Sequence, residues 1–157
     1  MSKLNERLDA LRKLVQSQEF LNGKGLSNEV NIRIFCYDPT EEMAVRHFTE
    51  KLTEGVGTGC RIIEYNLYKV FLAICEDKRI ADKIPDLENK KGHKFVLGHL
   101  ARIANNLAFI EKMKAEPHNV GDVILITGVG EAFPFIRVHA LLDAMQPHFS
   151  DVPILVM

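Results

Sequence analysis

Residues 122–129, DVILITGV, hold an apolar run unbroken from Val123 to Ile126 and followed by Thr-Gly. A strand with one solvated face alternates apolar and polar side chains. One buried on both faces is apolar throughout, the pattern of a parallel strand covered by helices. A chain with such a strand needs helices on both faces of its sheet, which means βαβ units. The remaining sequence supplies strands and helices in alternation. NIRIFCY (31–37) reads as the first strand, with Ile32, Ile34 and Cys36 at every second position. CRIIEYNL (60–67) reads as the second, and VPILVM (152–157) as a final apolar strand.

Helical spacing fills the intervals. Leu4, Leu8, Leu11 and Val15 recur three or four apart, which predicts an amphipathic helix over 2–17. A second helix starts at DPTE: Asp38 is the cap, Pro39 fits the first helical position, and Glu41 completes a capping box. It runs to about Glu54, with Met43, Ala44, His47, Phe48 and Leu52 down one side, and GVGTG (55–59) stops it. Residues 68–77 are helical through Val70, Phe71 and Ile74, and 78–92 are charged and weakly patterned, a loop or short helix. Val96, Leu100, Ile103, Leu107 and Ile110 predict one long helix over 93–115, ended by Pro117. Residues 130–149 begin in a Gly-rich turn, take Pro134 as an early helical position, and continue through Ile136, Ala140, Leu141 and Met145. The expected fold is a three-layer α/β sandwich: a mostly parallel sheet of about four strands behind an N-terminal helix, Rossmann-like or P-loop-like but without a P-loop. At 157 residues one domain is expected over 1–157. A chain ending on an apolar strand leaves an unfinished edge, so a further C-terminal portion is expected.

Charge narrows the function. Twenty basic and 21 acidic residues give a net −1, without the basic excess of a general nucleic-acid binder. Three cysteines, Cys36, Cys60 and Cys75, form no CxxC, sit in apolar or helical runs, and read as buried reduced thiols of a cytoplasmic protein. The charged N-terminus is no signal peptide, and no apolar run approaches the ~20 residues that cross a bilayer, so no membrane partner is expected.

Ligands of open parallel sheets bind beyond the carboxyl ends of the strands. Those ends carry Tyr37-Asp38-Pro39, Tyr65-Asn66-Leu67 and Thr127-Gly128-Val129-Gly130-Glu131. On this reading Asp38, Asn66, Thr127 and Glu131 crowd one polar edge, a ligand or partner site. The same residues admit a plainer role: Asp38 and Asn66 as helix caps and the glycines as turn formers.

No catalytic motif stands out. GVGEAF (128–133) falls short of GxGxxG, because Phe133 takes the third glycine's place, and no GK[ST] occurs. Hydrolysis of nucleotides is therefore not expected, although backbone amides after Gly130 could hold an anion. The six histidines include no i, i+4 pair and no HExxH, so neither metal nor cofactor is expected. Arg137 stands at an apolar helix start, where pairing with Glu131 or Asp38 is favoured over an anion-binding role, and His139 projects from a different face. The stretch FLNGKGLSNEV (20–30) is either a binding loop or a connector.

Three segments, FLNGKGLSNEVNIRIFCYDP (20–39), EYNLYKVFLAICED (64–77) and LITGVGEAFPFIRVHALLDAM (125–145), taken in this order, resemble the BrxB family of BREX bacteriophage-defence systems. The third is the most specific, with TGVGE before an aromatic-Pro-aromatic-Ile-Arg and a His. The matching positions are Gly25, Asn28, Glu29, Asp38, Pro39, Asn66, Gly128, Gly130, Glu131, Pro134, Arg137 and His139. The resemblance implies a non-methylating, non-catalytic accessory factor that docks other BREX proteins, notably a PglZ-type phosphatase-like protein, and a family portion beyond residue 157. It carries over no catalytic residue. The alternative is a degenerate nucleotide- or phosphate-binding domain related to ATPases. A hydrolase using Asp38 and Glu131 is a third and weaker reading.

Overall fold

The computed structural model describes residues 3–21, 31–55 and 59–157. The elements run α1 (Lys3–Gln16), α2 (Gln18–Leu21), β1 (Ile32–Ile34), a 3₁₀ turn (Pro39–Glu41), α3 (Glu42–Thr53), β2 (Ile62–Asn66) and α4 (Leu67–Asp77). A second 3₁₀ turn (Ala81–Lys83) leads to α5 (Ile84–Lys91), α6 (His93–Ile103), α7 (Asn106–Lys114), β3 (Val123–Thr127), α8 (Val129–Ala132), α9 (Val138–Met145) and β4 (Ile154–Val156). The strands form one sheet in the order β1-β4-β3-β2. Ile32 and Ile124 both stand opposite Ile154 in parallel register, and Leu125 stands opposite Leu155. The fold is of the α/β class that the alternation predicts. β4 is an interior strand, paired on both sides, so the final apolar run is no open edge.

The described chain forms two compact units. One comprises residues up to Glu64 with His118–Ile126 and Phe149–Met157; the other comprises Tyr65–Pro117 and Thr127–His148. In the first, Leu4, Leu8, Leu11 and Val15 of α1 and Val45, Phe48 and Leu52 of α3 share one core with Ile62, Val123, Leu125 and Leu155 of the sheet. The alternate residues Ile124, Ile126 and Ile154 are also fully buried, so the central strands are covered on both faces. A fully buried aliphatic side chain contributes on the order of 1.5–3 kcal/mol. Six such residues, Val123–Ile126 with Ile154 and Leu155, make these two strands the most heavily buried part of the sheet.

The second unit is helical. α4 packs on α6, α7 and α8, α7 on α9, and α5 on α6. Tyr65 at the end of β2 ties into it by donating its hydroxyl to the Met113 carbonyl at 2.8 Å.

Several local expectations are corrected. β1 is a three-residue edge strand, and its phase is opposite to the one expected. Phe35 and Tyr37 pack on the core, while Ile34 is 53% exposed and Cys36 is exposed. The Arg7 guanidinium lies over the Phe35 ring and donates to the Cys36 carbonyl, holding that phase. In α3 the inward stripe is Val45, Phe48, Thr49 and Leu52, with Met43 at 78% exposure and Ala44 and His47 also outside. The long helix over 93–115 is two helices. Asn105 breaks it because its side chain accepts the Ala108 amide at 2.9 Å and so caps α7. Pro134 is not helical. It follows a cis Phe133–Pro134 bond between α8 and α9, and the helix restarts at Val138. Cys60 is half-buried and Cys75 buried, so only two of the three thiols are withdrawn from solvent.

Candidate functional site at the strand ends

Asn66 ends β2 and caps α4. Its Oδ1 accepts the amides of Tyr68 at 3.1 Å and Lys69 at 3.2 Å, two of the orphan donors of a helix start. Gly128, one residue beyond β3, lies against that carboxamide. Its φ of +69° is left-handed, and a β-carbon there would sit 2.5 Å from Asn66 Oδ1. The side chain of Thr127, just before it, has a buried Oγ1 without a hydrogen-bond partner. The turn is thus built by two residue choices that depend on each other: the capping amide fills the space that the glycine leaves.

From Gly128 the chain enters the four-residue α8. The Ala132 amide donates to the Gly128 carbonyl at 3.0 Å and the Phe133 amide to the Val129 carbonyl at 3.3 Å. These two amides are therefore committed within the turn. Phe133 replaces the third glycine of a nucleotide fingerprint without wedging a helix from a strand, because its ring is 60% exposed. Phe135 anchors the segment by stacking on Phe71 of α4, with ring centroids 4.2 Å apart and planes 11° from parallel. Glu131, Arg137 and His139 are exposed. Arg137 is the N-cap residue of α9, and its side chain forms no cap. Among the described residues Arg137 enters no ion pair, so the expected pairing with Glu131 or Asp38 is absent.

Asp38 follows β1 and takes its plainer role. Its carboxylate accepts the Thr40 hydroxyl at 2.6 Å and the Thr40 amide at 2.9 Å, while Glu41 accepts the Asp38 amide at 3.2 Å. The Thr40 hydroxyl, and then its amide, hold the Asp38 carboxyl below its ordinary range. Glu42 is likewise engaged, accepting Arg46 Nε at 2.6 Å and the Tyr37 hydroxyl at 2.7 Å, and its carboxyl is lowered chiefly by Arg46. The strand order puts β1 and β2 at the two ends of the sheet. Asn66 and Gly128 therefore come together after neighbouring strands, whereas Asp38 follows the other edge strand. Gly25, Asn28 and Glu29 of the 20–30 stretch lie outside the described residues.

One feature was not visible in the sequence. A cleft of about 610 Å³ is lined by Ile74, Asp77, Lys78, Arg102, Asn105 and Lys112, among others, with Asp77 and Lys112 paired at 2.5 Å. It opens where α6 gives way to α7, a break that the unbroken helical spacing over 93–115 conceals. No described helix is long and apolar enough to cross a membrane.

The parallel strand order and the cap-and-glycine turns at the strand ends define an α/β protein that presents a charged and aromatic segment from a firmly packed turn. The chain belongs to the BrxB family: the family model described as BREX protein BrxB matches residues 63–157. It is similar to the BREX protein BrxB of Bacillus cereus (strain H3081.97), with 34% identity over 159 residues, covering 98% of this chain and 83% of that protein. It is also similar to the BREX protein BrxB of Escherichia coli O9:H4 (strain HS), with 24% identity over 158 residues, covering 97% of this chain and 76% of that protein. No solved structure matches the chain.

Proposed function

We propose that this protein is a non-catalytic accessory component of a BREX phage-defence complex, an adaptor that docks other BREX proteins, notably the PglZ-type phosphatase-like protein. Membership of the BrxB family supports the assignment to a BREX system. The observation that carries the adaptor reading is the segment after β3. Glu131, Phe133, Arg137 and His139 are exposed there, on a backbone fixed by the Asn66–Gly128 contact and the Phe71–Phe135 stack. Exposed charged and aromatic side chains on a rigid turn suit recognition of a protein surface, where aromatic residues and arginine are enriched. Of the two carboxylates that a hydrolase reading would use, Asp38 serves a capping box.

The test is a pull-down of the full-length protein with its operon neighbours, comparing wild type, Glu131→Ala with Arg137→Ala, and Asp38→Ala. The adaptor reading expects the phosphatase-like protein to co-purify with wild type and with Asp38→Ala, and to be lost with the Glu131/Arg137 variant while that variant melts like wild type. Capture that survives the Glu131/Arg137 change moves the interface elsewhere, and no capture by wild type ends the reading.

A further inference from the structure

The stretch 78–94, weakly patterned in sequence, forms the second 3₁₀ turn, α5 and the start of α6. Gly92 lets α5 and α6 meet: its φ is +83°, and its amide closes α5 on the Glu88 carbonyl at 2.8 Å. Between these elements runs a groove of about 380 Å³, lined by Ile80, Ile84, Leu87 and Leu100, with Lys83, Lys90, Asp86 and His99 around them. None of Ile80, Ile84 and Leu87 is buried, so three aliphatic side chains remain partly open to solvent along one line. α5 itself contributes no buried residue, which is unusual for a helix kept in a folded chain. Phe95 extends the apolar strip beyond the groove. It is 41% exposed, stacks on His99 at 6.1 Å, and lies under the Lys91 ammonium at 5.0 Å.

Charge selects the occupant. Residues 78–94 carry six Lys or Arg and three Asp or Glu, a local +3 in a chain of net charge −1. Lys83 and Lys90 rim the groove, and among the described residues neither enters an ion pair. An apolar floor between lysines matches an amphipathic helix with aliphatic anchors at i, i+3 or i+4 and i+7 and carboxylates beside them. A single-stranded nucleic acid fits less well. Its bases need a succession of aromatic faces, whereas the groove floor is four aliphatic side chains with a single Phe95–His99 pair at one side, and Asp86 would face the phosphates.

We propose that the α5–α6 groove is a docking site for an acidic amphipathic helix of a partner protein. This goes beyond the adaptor reading and uses none of the residues assigned to the segment after β3.

The experiment measures fluorescence anisotropy of a labelled helical peptide bearing Leu at i, i+4 and i+7 with Glu on its flanks, against the same peptide with Lys in place of Glu. The expected result is binding of the Glu peptide at least about tenfold tighter than the Lys peptide, weakening as salt rises. Lys83→Glu with Lys90→Glu should reverse that order, and Leu87→Asp should abolish binding of both peptides. These positions are exposed or half-buried, so the variants keep the wild-type melting temperature, and Glu131→Ala should bind as wild type does. Equal binding of both peptides, no binding of either, or displacement of the Glu peptide by an oligonucleotide overturns the proposal. Loss of partner capture by the Glu131/Arg137 variant with the peptide result intact leaves the two surfaces distinct.

Discussion

The carboxamide oxygen of Asn66 occupies the space in which a β-carbon at position 128 would stand, 2.5 Å away. The two strand ends come close together at this point, and each residue has a second reason to be what it is: Asn66 caps α4, and Gly128 holds a left-handed φ of +69°. Replacing Gly128 by Ala therefore meets two costs. The left-handed conformation costs a residue with a β-carbon about 1–2 kcal/mol, and the contact forces the cap away from the Tyr68 and Lys69 amides, for about 1 kcal/mol more. Gly128→Ala should lower stability by about 2–3 kcal/mol in urea denaturation. In an Asn66→Ala background, where cap and clash are already gone, the same change should cost only the conformational part, about 1–2 kcal/mol. Gly130 is the control. It lies within α8 with nothing within 4 Å of an added β-carbon, and Gly130→Ala should be neutral or mildly stabilising, by up to about 1 kcal/mol.

Asp122 makes the fold pH-sensitive at its first-unit end. The carboxylate is buried and accepts Arg61 Nη2 at 2.7 Å and the Asn119 amide at 2.8 Å. Arg61, first, and then the Asn119 amide hold this carboxyl below its ordinary value of 3.8, against the opposing effect of burial. A depressed folded pKa adds stability that is present above the unfolded value and lost as pH falls through the folded one. Arg61 is 46% exposed, so solvent screening discounts the pair to about 1–2 kcal/mol. Asp122→Asn should cost that much at neutral pH, and the gap to wild type should narrow at a pH well below 3.8, as the wild-type carboxyl protonates. Urea midpoints at the two pH values measure both. A gap that stays constant would assign the effect to packing.

The strand content and the parallel class were legible because β3 and β4 are apolar throughout, which few other environments tolerate. The capping box at Asp38 was legible too, since Asp, Pro and Glu at fixed offsets act locally. What escaped the sequence depends on partners distant along the chain. The strand order puts Asn66 beside Gly128 and Asp38 after the opposite edge strand, and no local pattern encodes that order. The phase of β1 is set by Phe35 and Tyr37 reaching a core made by α1 and α3, although Ile34 and Cys36 have the better strand alternation. The helix over 93–115 hides its break because the apolar spacing of Leu100, Ile103 and Leu107 continues through a cap supplied by Asn105. At the strand ends, the capping roles of Asp38 and Asn66 were among the readings the sequence offered, but no local pattern chose them over a shared polar edge.

The cysteines give a direct readout of that misread phase. Cys36 is exposed, Cys60 half-buried and Cys75 fully buried, and burial raises the thiol pKa of both Cys60 and Cys75. Since the thiolate is the reactive form, iodoacetamide should modify Cys36 first, Cys60 slowly, and Cys75 only once the protein is unfolded. Peptide mass mapping of a time course distinguishes them. Early modification of Cys75 would mean that the packing of α4 opens on the time scale of the reaction.

Phe135 links the core of the second unit to the segment proposed to meet a partner. Its ring lies flat on Phe71, which is 3% exposed, and two residues on either side Phe133 and Arg137 face solvent. Parallel aromatic pairs contribute about 0.5–1.5 kcal/mol beyond the area they bury. A double-mutant cycle of Phe71→Leu and Phe135→Leu should return a coupling of that size in thermal or urea unfolding. Leucine keeps an apolar side chain at position 135 but gives up the stacked register that fixes the backbone between Phe133 and Arg137. Phe135→Leu should therefore weaken capture of the partner while leaving every exposed side chain of the segment in place. Capture equal to wild type, with the coupling confirmed, would show that recognition tolerates a loosened turn and that its rigidity serves stability alone.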